Sequence, residues 1–152
     1  MKAKAVTYLL LAGLATGVVA CSKDDDTTTA LRSSELVLTN DTSGVAKNAG
    51  TVMINELTDG NISMQVLLAD SFRMAGDQYP ASIVKYDSVL QRDSTYADLG
   101  IIDGATGTVT KSPVVWNGTS EPISYDTLAT LTGFRVQVVT ADSLVQAEAD
   151  LN

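Results

Sequence analysis

The chain has 152 residues, a formal net charge of −8, no histidine and one cysteine. Without histidine it lacks the base of Ser-His-Asp and Cys-His nucleophile systems and the imidazole ligands of transition-metal sites, and a lone cysteine cannot form an intrachain disulfide. An acidic chain without a basic cluster repels a phosphate backbone, so we expect no nucleic-acid partner. No cofactor is expected from this set of residues.

The N-terminus has the features of a secretory signal. Lys2 and Lys4 precede an apolar run over residues 5–20, which is shorter than the roughly 20 apolar residues of a spanning helix. The run ends in Val-Val-Ala directly before Cys21, an arrangement that resembles a lipobox, whose cysteine is acylated. We therefore predict a lipoprotein signal peptide over residues 1–20 and lipid attachment at Cys21, which anchors the mature chain to a membrane. A thiol at a chance position is the alternative.

An acidic, hydroxyl-rich stretch follows the cysteine. Residues 21–34 contain too little apolar surface to order themselves and are predicted to form a flexible tether. The start of the tether resembles the export signal of lipoproteins from the Bacteroidetes group, which implies an outer-membrane, cell-surface location and is carried by Ser22, Lys23, Asp24, Asp25 and Asp26. The alternative is a linker that carries no export signal, which leaves the protein on the periplasmic face. Removing residues 1–20 takes away two basic and no acidic residues, so the mature chain carries −10.

From Glu35 onward, apolar and polar residues alternate at period two, the pattern of half-buried strands. This pattern predicts strands at residues 35–39, 51–56, 62–68, 82–86, 107–116, 134–140 and 144–150. Asp59 and Gly60 predict a tight hairpin between the second and third strands, and residues 122–131 predict a short helix with Ser124 as its candidate cap. Short strands at this spacing are typical of a two-sheet sandwich or a barrel, here one domain over residues 35–152. Its predicted interior positions are Ile54, Val66, Ile83, Val109, Val136 and Val138.

Several stretches of this domain resemble the chordin-type (CHRD) domain of bacterial lipoproteins. They cover residues 49–60, 104–110, 122–128, 133–134 and 141–147, in the order expected for that family. The resemblance implies an all-β, antiparallel Greek-key β-sandwich, either immunoglobulin-like or superoxide-dismutase-like. The histidine cluster of the family is missing, because the matching positions hold Tyr79, Ser82, Val84 and Val138. The resemblance therefore describes a divergent member without imidazole ligands, and we expect no metal site of that kind.

Two groups of side chains are candidates for a site. Four acidic residues lie in or near one long predicted connection: Asp87, Asp93, Asp98 and Asp103. The favoured interpretation is that they are solvated loop acids. The alternative is a weak calcium site formed by Asp87, Asp93 and Asp103. Aromatic residues form either a ligand-stacking patch or, as we favour, core packing; they are Tyr79, Tyr86, Tyr96, Trp116 and Phe134.

Two functions from different classes fit the sequence. The favoured one is a noncatalytic, membrane-anchored surface module that binds a protein or a glycan, because no catalytic motif is recognised. The other is a carboxylate-dependent hydrolase acting on a surface glycan, which needs two carboxylates in one concave pocket about 5 to 10 Å apart.

Overall fold

The computed structural model describes residues 31–41 and 44–152. Within these ranges the elements, in chain order, are β1 (Ser33–Asn40), β2 (Lys47–Glu56), β3 (Ile62–Leu68), β4 (Gln78–Asp87), β5 (Arg92–Asp103), β6 (Thr108–Lys111), α1 (Tyr125–Leu128), β7 (Phe134–Val139) and β8 (Val145–Asp150), with a single 3-10 turn at Asp70–Phe72. The strand predicted over residues 107–116 is shorter than expected, and β5 was not predicted at all. β1 begins two residues before the predicted start of the domain at Glu35.

Hydrogen bonds join all eight strands into one antiparallel sheet. The strand order is β5-β4-β7-β8-β1-β2-β3-β6, and the two edge strands, β5 and β6, approach each other so that the sheet is nearly closed into a barrel. At this seam Gly100 lies against Val109, and a Cβ on Gly100 would stand 3.1 Å from Cγ2 of Val109. The sequence left a two-sheet sandwich and a barrel as alternatives. The hydrogen bonding shows a single sheet that is nearly closed into a barrel.

Local irregularities allow the sheet to curve this strongly. The register shifts at four places, where one strand of a pair carries an extra residue: Ala49 in β2, Tyr96 and Leu99 in β5, and Gln146 in β8. Such bulges bend a strand and increase its twist. The bending brings the two edges of the sheet together over a shared interior.

The interior of the barrel is aliphatic, as the alternating pattern predicts. Five of the six predicted interior residues are fully or almost fully buried, namely Ile54, Val66, Ile83, Val136 and Val138, whereas Val109 is partly buried against the core. Val66 lies opposite Val52 on β2 and Val109 on β6, so one layer of valines crosses three neighbouring strands. The strand phase read from the sequence is confirmed.

β5 was not predicted because two bulges interrupt the alternation of buried and exposed residues along the strand. Its buried residues are Ala97, Leu99 and Ile102, which are separated by two and then by three positions. Tyr96 and Leu99 have no partner in the register with β4, since each is the extra residue of a bulge. The remaining residues of β5 are mostly polar, so the strand resembles a loop in sequence.

The predicted hairpin and helix are both present. Gly60 adopts a φ of 80° between β2 and β3, a left-handed conformation that glycine adopts without steric cost. The side chain of Ser124 accepts a hydrogen bond of 3.1 Å from the N–H of Thr127 and caps α1. Ile123 and Leu128, on either side of this turn, are buried in the core.

Candidate functional site

The strand directions divide the loops between two ends of the barrel. β1 begins and β8 ends at one end, which also carries α1 and the β2–β3 and β4–β5 hairpins; we call it the terminal end. The opposite end, the distal end, carries residues 69–77, the β5–β6 turn and the β7–β8 hairpin. A site at the distal end therefore faces away from the point where the N-terminal segment joins the barrel.

The distal end contains a pocket of about 310 Å³ between two loops. We call it the distal pocket, and its lining residues are Asp77, Gln78, Tyr79, Thr140, Ala141, Asp142 and Leu144. This volume lies at the small end of the range for ligand-binding clefts. The lining combines two carboxylates with amide, phenol and hydroxyl groups, and Leu144 adds an apolar side chain that is 66% exposed.

One wall of the distal pocket is held by Tyr79. Its ring is buried, and its hydroxyl accepts a hydrogen bond of 2.9 Å from the N–H of Met74 and donates one of 3.3 Å to Oδ2 of Asp77. Gly104 packs directly beneath this wall, because a Cβ there would lie 1.9 Å from the carbonyl oxygen of Met74. These contacts orient the carboxylate of Asp77 before any ligand binds.

Further polar contacts fix the same wall to the body of the barrel. Nη1 of Arg73 donates to the carbonyl oxygen of Gly104 at 2.8 Å, and its guanidinium also pairs with Asp70. Nε2 of Gln146 on β8 donates to the carbonyl oxygen of Phe72 at 2.6 Å. The wall is therefore tied to both the β5–β6 turn and β8.

The β7–β8 hairpin forms the other wall. The N–H of Thr140 donates to the carbonyl oxygen of Leu144 at 2.9 Å, and the hydroxyl of Thr140 accepts from the N–H of Leu144 at 3.2 Å. Ser143 adopts a φ of 61° at the turn. The hairpin presents Asp142 and Leu144 as exposed side chains beside the pocket.

Chemically, the distal pocket suits a ligand that donates hydrogen bonds. Ionised carboxylates accept hydrogen bonds only, so Asp77 and Asp142 favour ligand hydroxyl or cationic groups. The two acids line the same concavity, which meets one of the two requirements of a carboxylate-dependent hydrolase, the other being a separation of about 5 to 10 Å.

The acids named from the sequence are not brought together. Asp87 pairs with Arg92 at the terminal end and Asp103 pairs with Gln78 at the distal end, about 30 Å apart along β4 at the usual rise per residue. The calcium hypothesis is therefore wrong, because the presumed connection is the extended strand β5. Within residues 31–41 and 44–152, no three acidic, histidine or cysteine side chains are grouped to hold a metal ion.

These acids instead hold local structure. Asp93 accepts hydrogen bonds of 2.7 and 2.6 Å from Nη2 of Arg135 and one of 3.0 Å from Nε2 of Gln137. Asp87, Asp98 and Asp103 each accept from backbone N–H groups two or three residues further along the chain.

Three of the five candidate aromatic rings meet around Tyr96 of β5. Tyr96 lies 5.0 Å from Phe134 and 6.4 Å from Trp116 between ring centroids, both edge to face. Trp116 and Phe134 pack against the core, whereas Tyr79 belongs to the core itself and Tyr86 is exposed elsewhere. The grouping supports core packing rather than a five-ring stacking patch.

Arg32 fastens the start of the barrel at its terminal end. Its Nε and Nη2 donate to Glu56 at 2.8 and 2.6 Å, and its Nη1 donates to Asp126 at 2.6 Å. Its guanidinium also lies 4.4 Å from the ring centroid of Tyr125. The side-chain hydrogen bonds from Arg32 lower the pKa of Glu56 to about 2.

The predicted lipid attachment and export residues lie outside the described residues; they are Cys21, Ser22, Lys23, Asp24, Asp25 and Asp26. In the part of the chain that the structure describes, no helix is long and apolar enough to cross a membrane. Sequence reasoning gave neither Asp77 nor Asp142 a site role, because their partnership depends on two loops that are distant in the chain. The one sequence signal for this pocket was that both acids lie in turn segments.

Comparison with known proteins gives no match among family models, curated proteins or solved structures. We therefore infer its function from the geometry of this chain.

Proposed function

We propose that the protein is a noncatalytic binding module, anchored by a lipid on Cys21 to the outer membrane and displayed at the cell surface. Its partner is a surface protein or a glycan, and its contact site is the distal pocket. The chain carries a net charge of −8, which disfavours a nucleic-acid partner. No cofactor takes part in this proposal.

One observation carries the proposal: the start of β1 and the distal pocket are at opposite ends of the barrel. β1 starts at Ser33 at the terminal end, so an anchor at Cys21 attaches there. The distal pocket then lies at the end of the barrel opposite the attachment point, where it is accessible to a partner in solution or on a neighbouring cell.

The chemistry of the pocket supports a hydroxyl-bearing ligand. Asp77 and Asp142 accept hydrogen bonds, and the amide of Gln78 and the hydroxyl of Thr140 add groups that both donate and accept. A glycan presents many hydroxyl donors, and an exposed lysine or arginine of a protein offers a cationic donor. Leu144 supplies apolar contact beside these polar groups.

For the fold, we propose a Greek-key arrangement and a distant relation to the chordin-type domain. The strand order supports this, since β7 follows β6 in the chain but lies beside β4 in the sheet. Eight strands fit the superoxide-dismutase-like form better than the seven strands of an immunoglobulin constant domain.

A binding experiment tests this function. The mature chain with Cys21→Ser is titrated calorimetrically with the glycan and protein fractions of the cell surface separately. Asp142→Asn should weaken binding roughly 10- to 150-fold, because a lost hydrogen bond to a charged group costs roughly 1.5–3 kcal/mol. Asp150→Asn, an exposed acid at the terminal end, is the matched control. Equal binding by the two variants would contradict the assignment of the pocket.

The hydrolase remains a second candidate because Asp77 and Asp142 line one pocket. It predicts release of new reducing ends from surface glycan, and loss of that release in both Asp77→Asn and Asp142→Asn. Glycan binding without release of reducing ends would leave the binding module as the function.

A further inference from the structure

The tip of the β4–β5 hairpin exposes two consecutive large aliphatic side chains. Val89 is 88% exposed and Leu90 is 54% exposed, and Tyr86 nearby is 54% exposed. The tip is an ordered turn, since Oδ1 of Asp87 accepts hydrogen bonds from the N–H groups of Val89 and Leu90 at 2.8 and 3.0 Å. The two side chains therefore project from a fixed position and are not covered by the rest of the described barrel.

The hairpin lies at the end of the barrel where the N-terminal segment joins. β4 is three strands away from β1 in the sheet, or about 14 Å at the usual strand spacing. Ten residues, 22–31, lie between Cys21 and Arg32, and a fully extended chain over these eleven steps reaches at most about 40 Å. An anchor at Cys21 therefore keeps this hairpin within reach of the bilayer.

The local charge at the tip is also compatible with a membrane surface. Residues 85–93 contain Lys85 and Arg92 against Asp87 and Asp93, so the tip is neutral in a chain of net charge −8. The distal pocket, in contrast, contributes two acids and no base. The hairpin is thus a part of the barrel that anionic lipid does not repel.

We propose that the β4–β5 hairpin inserts Val89 and Leu90 into the interface of the lipid bilayer to which the chain is anchored. Burial of these side chains at the boundary between headgroups and acyl chains, together with the lipid, gives the barrel two attachment points. The barrel then stands with its terminal end on the membrane and its distal pocket outward. This inference rests on the proposed membrane anchoring at the N-terminus.

A site-specific fluorophore tests the contact without depending on natural acylation. The mature chain with Cys21→Ser receives an N-terminal hexahistidine tag and is attached to phosphatidylcholine vesicles that contain a nickel-chelating lipid; the chain itself has no histidine, so attachment is through the tag. Val89→Cys supplies the only thiol for an environment-sensitive dye. We expect a blue shift of its emission on the vesicles and quenching by brominated acyl chains.

Leu144→Cys is the matched control, because Leu144 is 66% exposed on a hairpin at the distal end. Its dye should show neither a shift nor quenching. An unchanged spectrum at position 89, or equal shifts at positions 89 and 144, would overturn the proposal. A shift at position 89 on native outer-membrane vesicles but not on lipid alone would assign the hairpin to a protein partner and would also overturn it. Because the anchor is engineered, these outcomes are separate from whether Cys21 is acylated.

Discussion

Replacing Val66 or Leu67 by alanine tests which face of β3 is the interior face. Val66 is fully buried between β2 and β6, whereas the neighbouring Leu67 points outward and is 46% exposed. Val66→Ala removes two buried carbons, worth about 1.6 kcal/mol of transfer free energy, and the remaining cavity raises the loss to about 2.5 kcal/mol. Leu67→Ala should change the free energy of unfolding by less than about 0.5 kcal/mol.

Thermal unfolding followed by circular dichroism measures this difference. For a domain of this size, a loss of 2.5 kcal/mol lowers the melting temperature by about 10 °C, while the Leu67 variant should stay within about 2 °C of the parent. The two substitutions lie one residue apart in the same strand, so they share backbone and neighbours. A larger loss for Leu67→Ala than for Val66→Ala would show that the strand phase, and with it the barrel interior, is misassigned.

Three further results are expected. The folded-state pKa of Glu56 is about 2, against an ordinary value of 4.5. Its pairing with Arg32 therefore stabilises the fold fully above pH 4.5, and this stabilisation is lost as the pH falls towards 2. Glu56→Gln should remove this part of the acid dependence of the melting temperature. Gly104→Ala should destabilise the fold by about 2 kcal/mol and weaken ligand binding at the distal pocket, since its Cβ meets the carbonyl oxygen of Met74 at 1.9 Å. The mature chain with Cys21→Ser should bind copper and zinc no tighter than about 10⁻⁴ M in calorimetric titration, the range of weak oxygen sites, and micromolar binding would contradict this.

The sequence predicted the parts of the fold that follow from local pattern. Alternation placed Val66 and Val136 inside, and the glycine at position 60 and Ser124 marked the hairpin and the helix cap. β5 was missed because Tyr96 and Leu99 are bulge residues, and a bulge removes the periodicity that identifies a strand. The near closure of the sheet depends on the same bulges.

The distal pocket was not predictable for a different reason. Asp77 follows the turn before β4 and Asp142 lies in the β7–β8 hairpin, and only the pairing of β4 with β7 brings these turns together. The sequence suggested that Asp87 and Asp103 lie in or near one loop. In the structure that segment is the strand β5, which keeps the two acids at opposite ends of the sheet.

The most direct test of the proposed function is mass spectrometry of the intact protein extracted from membranes of the cells that produce it. We expect a mature chain that begins at Cys21 and carries acyl chains on that residue, which joins the membrane anchor to the terminal end of the barrel. An unmodified Cys21, or a mature N-terminus at another residue, would contradict the lipid anchor and the position of the distal pocket opposite it.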